Sequence, residues 1–156
     1  MNCIIRKGVK SDLTNALRLV KELAEYEKAP NEVSVTTEEL ENNGFGEQPL
    51  FRFFVAEEKS IIVGMALYYI KYSTWKGKCV FLEDIIVTEK YRKFGIGKKL
   101  FDEVVNVAKK MKVKRLEWQV LNWNQPAIQF YKKLNSNFDD EWVNCKLTEE
   151  QIQGYR

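Results

Sequence analysis

Two segments near the N-terminus repeat apolar side chains at the period of an amphipathic helix. After a short apolar strand at residues 3–6, one helical face collects Leu13, Leu17, Val20, Leu23 and Ala24. Ser11 or Asp12 stands where the N-cap of this helix belongs. Residues 36–42 predict a second, short and acidic helix, which ends at a turn over residues 43–46.

The rest of the chain alternates between β-forming runs and two further helices. The apolar period predicts a helix from Ile96 to Met111, and residues 125–134 predict another with Pro126 in its first turn. Apolar runs rich in β-forming side chains predict strands, two of them joined by a hairpin at residues 58–60. With the first strand included, the predicted strands are residues 3–6, 51–57, 61–72, 79–88, 115–121 and 142–147.

The order of these elements, β-α-α-β-β-β-α-β-α-β, predicts an α/β (α+β) fold with one mixed sheet and helices on both faces. The chain has 156 residues, with only eight Gly and three Pro. That length suits a single core, and no linker or repeat interrupts it. We therefore expect residues 1–156 to form one domain.

The chain contains no histidine. Nucleophile relays that depend on an imidazole, His-ligated zinc and imidazole pH switches are therefore excluded. General acid and base chemistry must come from Glu, Asp, Lys, Tyr or Cys side chains whose pKa values are set by their surroundings. No metal site is expected.

The net charge of +3 conceals a strong segregation of charge along the chain. Residues 21–47 hold eight acidic and two basic side chains, whereas residues 90–115 hold ten basic and two acidic ones. This asymmetry indicates one anionic and one cationic ligand rather than a nucleic-acid partner.

The cysteine pattern and the apolar runs bear on the compartment. Cys3, Cys79 and Cys145 are an odd, scattered set without a C-x-x-C motif, which is typical of reduced thiols in a cytosolic protein. No signal-peptide pattern and no run approaching the ~20 residues of a membrane span is visible. A cytoplasmic protein without a membrane partner is expected.

One strand–loop–helix segment carries the clearest chemical signal. The apolar strand ends in Glu83, Asp84 and β-branched residues, and the loop after it reads R-x-x-G-x-G over residues 92–97. Consecutive backbone N–H groups at a helix N-terminus, with glycines that admit close approach, suit a pyrophosphate. An ordinary glycine-containing turn between strand and helix is the alternative interpretation of this pattern alone.

In this context the loop resembles the acetyl-CoA loop of the GNAT N-acetyltransferase superfamily. A second segment of the chain is similar to that superfamily's N-x-x-A-x-x-F-Y pattern, filled here by Asn124, Ala127, Phe130 and Tyr131. The resemblance implies the GNAT fold, in which two strands splay apart at an acetyl-CoA cleft.

The likeness narrows to the diamine (spermidine/spermine) acetyltransferase branch, which includes members acting on thialysine. It extends over roughly residues 3–147. The segments that carry it are Ile5-Arg6, residues 21–27, residues 44–49, Tyr68-Tyr69, residues 75–78, residues 82–84 and residues 123–126.

The resemblance implies a set of coenzyme contacts. The backbone of residues 85–87 would bond the pantetheine arm, and the amides of residues 93–98 would hold the pyrophosphate. Asn124 would bond the pantetheine or only cap its helix, and both roles stay open. The expected cofactor-binding residues are Ile85, Ile86, Val87, Arg92, Lys93, Phe94, Gly95, Ile96, Gly97, Lys98, Asn124 and Pro126.

The implied reaction is direct transfer of acetyl from the thioester to a primary amine, which itself is the nucleophile. A phenol with a pKa near ~10 is protonated at neutral pH, so Tyr131 suits the acid that protonates the leaving thiolate. Glu83 is the preferred base. Because Asp84 is its neighbour on a strand, we expect the two side chains to point to opposite faces.

The amine site is implied by resemblance at the end of the first helix and beyond. Tyr26, Glu27, Glu83, Asp84 and Trp75 are the expected substrate-binding residues, with Glu27 taking a distal ammonium. Trp75 either lines the amine channel or only packs. The acidic run at residues 139–141 either meets the far end of the substrate or is a solvated loop.

The sequence departs from the diamine acetyltransferase branch at two places. Asn135 stands where the family has glycine after the tyrosine helix, and Asn tolerates the same left-handed conformation. The loop that follows, up to Trp142, is shorter than in the animal polyamine enzymes, so its acidic residues have no one-to-one match and the length of the substrate stays open. Lys93 replaces a frequent glycine at a position where the pattern allows any residue. A homodimer formed through residues 142–147 is implied, often with exchanged strands. Rival functions are acetylation of another amine (a protein N-terminus, a lysine or an aminoglycoside) or acyl-CoA binding without catalysis.

Overall fold

The computed structural model describes residues 2–156, which divide into two compact units, residues up to Gln119 and the segment Val120–Arg156. The first unit contains strands β1 (Ile4–Lys7), β2 (Arg52–Glu58), β3 (Ile61–Ser73), β4 (Gly77–Val87) and β5 (Leu116–Glu117), and helices α1 (Leu13–Tyr26), α2 (Thr37–Phe45) and α3 (Ile96–Lys110). The second unit contains helices α4 (Gln125–Lys133) and α5 (Glu149–Gln153).

The five strands form one sheet in the order β1-β2-β3-β4-β5. Neighbours among the first four strands are antiparallel, and β5 runs parallel to β4. This mixed, mostly antiparallel sheet confirms the predicted fold class. The β2–β3 connection is also confirmed: Lys59 and Ser60 both have positive φ, 48° and 63°, as a two-residue hairpin turn requires.

Helices cover both faces of the sheet. On one face, Leu13, Ala16 and Leu19 of α1 pack with Val55 and Met65 of the central strands. On the other face lies α3, where Leu100 comes within 3.3 Å of the position that a Cβ on Gly64 would take. Because side chains alternate along β3, Met65 and Leu67 face α1, whereas Gly64 and Ala66 face α3.

The start of α1 differs in detail from its prediction. Asp12 occupies the N-cap position, but its side chain makes no capping bond. The carboxylate instead accepts hydrogen bonds from the Arg6 guanidinium at 2.7 and 2.9 Å and from the Val9 N–H at 2.9 Å. Arg6 holds the pKa of the buried Asp12 carboxyl below its usual value, so this ion pair fixes β1 against α1.

The predicted strand at residues 115–121 is wrong in extent, because β5 is only two residues long. It pairs with β4 at Val80 and Phe81 alone. A β-bulge lies in β4 directly after this point, where Leu67 is opposite Asp84 but Tyr68 is opposite Leu82. A bulge bends its strand, and the bend ends the parallel pairing.

The predicted strand at residues 142–147 is also wrong: the segment has no regular structure. A strand requires a hydrogen-bonded neighbour, and this segment joins no ladder among the described residues, while Trp142, Val143 and Leu147 are exposed. The short helix α5 follows it and was not predicted. Its signal was present, since Thr148 and Gln151 form a capping box at its start.

The remaining helices agree with their predictions within a few residues. Thr36 caps α2 by accepting from the Glu39 N–H at 3.1 Å, which completes a capping box. After α4, Asn135 has φ 55°, the left-handed conformation expected of a residue that replaces glycine at this helix end. Among residues 2–156, the structure contains no helix long and apolar enough to cross a membrane.

Candidate active site

The bulge in β4 brings two acidic side chains to one face of the sheet. Glu83 has no partner residue in β3, because the register passes from Leu67–Asp84 directly to Tyr68–Leu82. The expectation that Glu83 and Asp84 point to opposite faces is therefore wrong. In a regular strand neighbours alternate, but at a bulge the extra residue shifts that alternation.

Tyr69 identifies the shared face. Residues opposite each other in a ladder lie on the same face, so Asp84 lies with Leu67, and Tyr69 follows Leu67 at the strand period of two. The phenol of Tyr69 interacts with the carboxylate of Glu83. Burial, the charge of Glu83 and hydrogen bonding to it raise the pKa of Tyr69 to about 12, so the phenol stays protonated.

The ring of Tyr69 is held from its other side. It stacks on Phe81, its partner across the ladder, with ring centroids 5.3 Å apart and planes at 27°. Lys71 places its Nζ 5.5 Å from the Phe81 ring and 3.4 Å from a Glu117 oxygen. The phenol that supports Glu83 therefore belongs to a packed row rather than to a mobile surface.

Glu27 completes an acidic cluster with these two residues. It is the first residue after α1, half-buried, and burial raises its pKa. Burial and the charges of Glu83 and Glu27 raise the pKa of Asp84 to about 6. Glu83 is exposed, whereas Asp84 and Glu27 are partly buried. Mutual repulsion among these carboxylates is costly, and a bound cation relieves it.

The end of α1 aims Glu27 through its backbone. The Glu27 N–H bonds to the Leu23 carbonyl at 2.8 Å, and the next residue, Lys28, has φ 61°. The Ala29 N–H then returns to the Ala24 carbonyl at 2.9 Å. This left-handed termination reverses the chain directly after Glu27 and fixes where its side chain leaves the helix.

The R-x-x-G-x-G loop forms an anion-binding geometry at the start of α3. Gly95 is the N-cap with φ 76°, and Lys93 is also left-handed, with φ 68°. The first hydrogen bond of the helix runs from the Lys99 N–H to the Gly95 carbonyl at 3.1 Å. The N–H groups of Ile96, Gly97 and Lys98 therefore have no acceptor inside the helix and point out of its positive end.

Gly97 has a property that packing within the chain does not explain. A Cβ at this position would meet only Val87 Cγ2, at the ordinary contact distance of 3.9 Å. The backbone is thus exposed on a side where a larger residue would fit. Such a bare surface at a helix N-terminus allows a phosphate to approach the amides.

The edge of β4 beyond Phe81 is open, because no described strand pairs with it there. The Ile86 carbonyl lies 2.7 Å from the Cβ position of Gly64, so it points toward β3. Alternation then directs the backbone groups of Ile85 and Val87 to the open edge. Of residues 85–87, these two present hydrogen-bonding groups to a ligand there, and the Val87 carbonyl already accepts from Arg92.

The side chain of Arg92 is held by two contacts within the first unit. Its Nε donates to the Val87 carbonyl at 2.8 Å, and its guanidinium carbon lies 5.0 Å from the centroid of the Tyr26 ring. Lys98 forms an ion pair with Asp102 at 2.5 Å, one turn along α3. Lys93 and Phe94 are exposed on the loop.

The predicted residues of the second unit are described within that unit. Tyr131 lies in α4 with only 5% of its surface exposed, and its ring is 5.2 Å from that of Phe130 in an edge-to-face contact. The buried Asn124 caps α4 by accepting from the Ala127 N–H at 3.3 Å, which confirms its capping role. Pro126 stands in the first turn of α4.

Trp75 and the acidic run at residues 139–141 were both candidates for a place near the substrate. Trp75 lies far from the acidic cluster, and residues 139–141 make no contact that defines a role. Trp75 is at the tip of the β3–β4 hairpin and 78% exposed. Six strand residues separate that tip from Glu83, a distance of roughly 20 Å along β4. Residues 139–141 are exposed, with one internal hydrogen bond from the Glu141 N–H to Asp139 at 3.0 Å.

Tyr69 is the residue that sequence reasoning missed. The Tyr68-Tyr69 pair contributed to the resemblance, but no role was assigned to it. The signal available was the period of β3, which separates the two tyrosines onto opposite faces. The position of the bulge was marked only by two adjacent acids inside an apolar strand.

Comparison with known proteins gives a consistent result at the level of family and fold. Residues 16–135 match the Acetyltransferase (GNAT) family. The chain is 43% identical over 141 residues to a thialysine N-epsilon-acetyltransferase of Bos taurus, with 85% of this chain and 83% of that protein covered. The corresponding protein of Mus musculus is 41% identical over 160 residues, with 96% and 94% covered.

Two further similarities concern a longer protein and a solved structure. The chain is 31% identical to the human spermidine/spermine N(1)-acetyltransferase-like protein 1, with 95% of this chain and 23% of that protein covered. An aminoglycoside acetyltransferase from an uncultured soil metagenomic sample, solved with trehalose, superimposes with a TM-score of 0.78 at 20% identity. That superposition covers 94% of this chain and 95% of the other and concerns the fold alone.

Proposed function

The chain belongs to the GNAT acetyltransferase family and is an N-acetyltransferase, and from this premise we propose that it acetylates a small cationic amine with acetyl-CoA. The amine is a primary amine of a diamine, a polyamine or a thialysine-like amino acid. The observation that carries this proposal is the acidic cluster, in which the charges of Glu83 and Glu27 both act on Asp84.

Acetyl-CoA fits the basic half of the first unit. Its pyrophosphate would be held by the N–H groups of residues 96–98, which have no acceptor within α3, with Lys93 beside them. The amide-rich pantetheine arm matches the open edge of β4, where Ile85 and Val87 present backbone groups. The thioester supplies an activated acetyl group, so the protein needs no nucleophile of its own.

The acidic cluster would receive the ammonium groups. Three carboxylates on one side of the sheet attract a dication or trication more strongly than a neutral amine, because each positive charge relieves their repulsion. The reacting ammonium, with a pKa near ~10.4, must lose a proton before it can attack. Glu83 or Asp84 takes this proton, directly or through a water molecule.

The transfer step proceeds by addition and elimination at the thioester carbonyl. The neutral amine nitrogen forms a bond to the thioester carbonyl carbon, giving a tetrahedral intermediate, and the C–S bond breaks as the carbonyl re-forms. The nitrogen becomes positively charged on attack and loses its extra proton to the other carboxylate of the Glu83–Asp84 pair, and Tyr131 donates a proton to the departing CoA sulfur. The products are an acetamide and free CoA; both carboxylates release their protons to solvent, and Tyr131 regains one from solvent.

The relatives favour two substrate types by name, thialysine and spermidine or spermine. Both carry an ammonium beside the one that reacts, and Glu27 is the carboxylate suited to a second positive charge. We also propose that the enzyme is a cytoplasmic homodimer. The exposed apolar side chains Trp142, Val143 and Leu147 support an interface at the C-terminal segment.

The proposal is tested by measuring CoA thiol release with a panel of amines: putrescine, spermidine, spermine, thialysine, lysine, an aminoglycoside and a peptide with a free N-terminus. We expect kcat/KM to be highest for one of the first four. Asp84→Asn should raise the KM of that amine and leave the KM of acetyl-CoA near the wild-type value. Highest activity on the aminoglycoside or the peptide would refute the substrate class, and acetyl-CoA binding without turnover of any amine would refute the proposed reaction.

A further inference from the structure

Arg92 connects three parts of the first unit through one side chain. It opens the loop that leads to α3, it bonds the last carbonyl of β4, and it stacks on the last residue of α1. The bond from Nε to the Val87 carbonyl is 2.8 Å, and the guanidinium lies 5.0 Å from the ring centroid of Tyr26.

Tyr26, which contacts Arg92, is directly followed in the chain by Glu27 of the acidic cluster. Tyr26 ends α1, and Glu27 follows it as the residue whose charge acts on Asp84. Because the chain reverses at Lys28, the direction of Glu27 depends on the position of the last turn of α1. A group that holds Tyr26 therefore also determines where Glu27 lies.

A second hydrogen bond joins α1 to the end of β4, one helical turn before Tyr26. The Thr88 hydroxyl donates to Glu22 Oε2 at 2.9 Å. Thr88 directly follows β4, so α1 is attached to the end of this strand at two levels. Of these two attachments, the one through Arg92 also includes the loop before α3 and lies next to Glu27.

A simple electrostatic role for Arg92 does not account for these contacts. Among residues 2–156, no salt bridge joins Arg92 to a carboxylate. Its guanidinium is oriented by a carbonyl and an aromatic face, which is geometry that a lysine cannot reproduce. A charge placed only to attract phosphate has no need of this orientation.

We propose that Arg92 is a positioning residue that couples the acetyl-CoA loop to the amine site, by holding the end of α1 and thereby Glu27. This inference rests on the proposed function. When a coenzyme orders residues 93–98, the backbone of Arg92 is ordered with them, and its side chain passes that order to Tyr26. Coupling between two binding equilibria is reciprocal, so bound amine strengthens acetyl-CoA binding by the same factor.

Arg92→Lys tests this because it keeps the positive charge and loses the oriented contacts. A hydrogen bond from a charged group and a cation–π contact together correspond to an effect of about tenfold or more. We expect the KM of the amine to rise by about tenfold in Arg92→Lys. Lys90→Met, which removes an exposed charge two residues away, should leave both KM values near wild type.

Tyr26 provides the partner for a double-mutant cycle. Tyr26→Leu should raise the amine KM by a similar factor, and Tyr26→Phe, which keeps the ring face, should raise it less. The double variant Arg92→Lys/Tyr26→Leu should be little worse than either single variant, because both remove one contact. Effects that multiply, or an amine KM that Arg92→Lys leaves unchanged, would overturn the proposal.

Hydrogen exchange separates failure of this inference from failure of the proposed function, because it needs no turnover. In the wild-type protein, acetyl-CoA should slow amide exchange both at residues 93–98 and at residues 23–29. In Arg92→Lys, saturating acetyl-CoA should still protect residues 93–98 but no longer residues 23–29. Equal protection of residues 23–29 in both proteins would overturn the proposal. Without any ligand, Arg92→Lys should exchange faster than wild type at residues 23–29, and equal rates there would also count against it.

Discussion

The phenol of Tyr69 interacts with the carboxylate of Glu83 across the bulge that interrupts the β3–β4 ladder, and this interaction contributes to the raised pKa of Tyr69. A bulged residue lacks the partner that normally orients a strand side chain. Here the phenol supplies that orientation, and its own ring is held by the stack on Phe81. Two carboxylates of the acidic cluster, Glu83 and Asp84, are thus built on a strand of the sheet rather than on a loop.

Replacing Tyr69 by Phe should therefore impair the reaction without unfolding the sheet. A hydrogen bond to a charged group contributes about 1.5–3 kcal/mol, so we expect kcat/KM for the amine to fall by about 10- to 100-fold. The KM of acetyl-CoA should stay near wild type. Steady-state kinetics with each substrate varied in turn provides the measurement.

The matched control is Tyr68→Phe, the same chemical change one residue away. Tyr68 is buried on the opposite face and stacks on Phe54 at 5.8 Å. We expect wild-type kinetics from this variant. If Tyr69→Phe and Tyr68→Phe behave alike, the hydroxyl of Tyr69 has no role in orienting Glu83.

The sequence was sufficient to predict strands β1 to β4 and the helices of the first unit, because their buried side chains form clear patterns. The apolar face of α1 and the continuous apolar runs of β2 and β3 are the side chains that the structure buries. The loop before α3 was also predictable, since Gly95 must adopt a positive φ and the apolar period of α3 begins directly after it.

The arrangement of the acidic cluster was not predictable in the same way. Whether Glu83 and Asp84 share a face depends on one extra residue in the register, and register is a property of two paired strands. The contact of Arg92 with Tyr26 joins residues far apart in sequence, and no local pattern specifies it. The strand predicted at residues 142–147 is wrong for a related reason. The local sequence resembles a strand, but a strand forms only where a neighbouring strand is available for hydrogen bonding.

Tyr131→Phe should separate chemistry from binding. If the hydroxyl protonates the leaving thiolate, its removal should lower kcat by about 100-fold or more. The dissociation constant of acetyl-CoA, measured by calorimetry, should change little because the ring is retained. Tyr155→Phe, an exposed tyrosine of the same unit, serves as control. A kcat equal to that of the wild type would remove Tyr131 from the acid role.

Lys93→Gly should reveal the strain in the R-x-x-G-x-G loop before α3. Lys93 has φ 68°, a conformation that costs a side-chain-bearing residue about 1 kcal/mol and glycine almost nothing. The added freedom of glycine in the unfolded chain offsets part of that gain. We therefore expect Lys93→Gly to be at least as stable as wild type in urea unfolding, with a raised KM for acetyl-CoA.

Lys93→Ala is the informative comparison, because it loses the same charge but keeps the strained backbone. Its KM for acetyl-CoA should rise as much as in Lys93→Gly, whereas its free energy of unfolding should be lower by about 1 kcal/mol. Lower stability of the glycine variant would show that the left-handed loop is not strained at this residue.

The C-terminal segment should determine the oligomeric state. Trp142, Val143 and Leu147 are 75%, 84% and 54% exposed, an unusual display for large apolar side chains in one segment. We expect light scattering at micromolar concentration to give the mass of a dimer. Truncation after Glu141 should give a monomer, and Val143→Asp should shift the equilibrium in the same direction. A wild-type protein that is only monomeric would contradict the proposed interface.

Asp84 should make the stability of the protein depend on pH with a definite sign. Burial, the charge of Glu83 and the charge of Glu27 raise its pKa from 3.8 to about 6, so the folded protein holds this proton more tightly than the unfolded chain. The free energy of unfolding therefore falls as the pH rises from about 4 to about 6, by at most about 3 kcal/mol. Asp84→Asn, which does not ionise, should equal the wild type near pH ~4 and exceed it in stability above pH ~7. Urea unfolding at a series of pH values measures this difference.

Glu83→Gln removes one of the charges that act on Asp84, so the fall in stability should move to lower pH in that variant. A difference between Asp84→Asn and wild type that is the same at every pH would show that Asp84 does not carry the raised pKa.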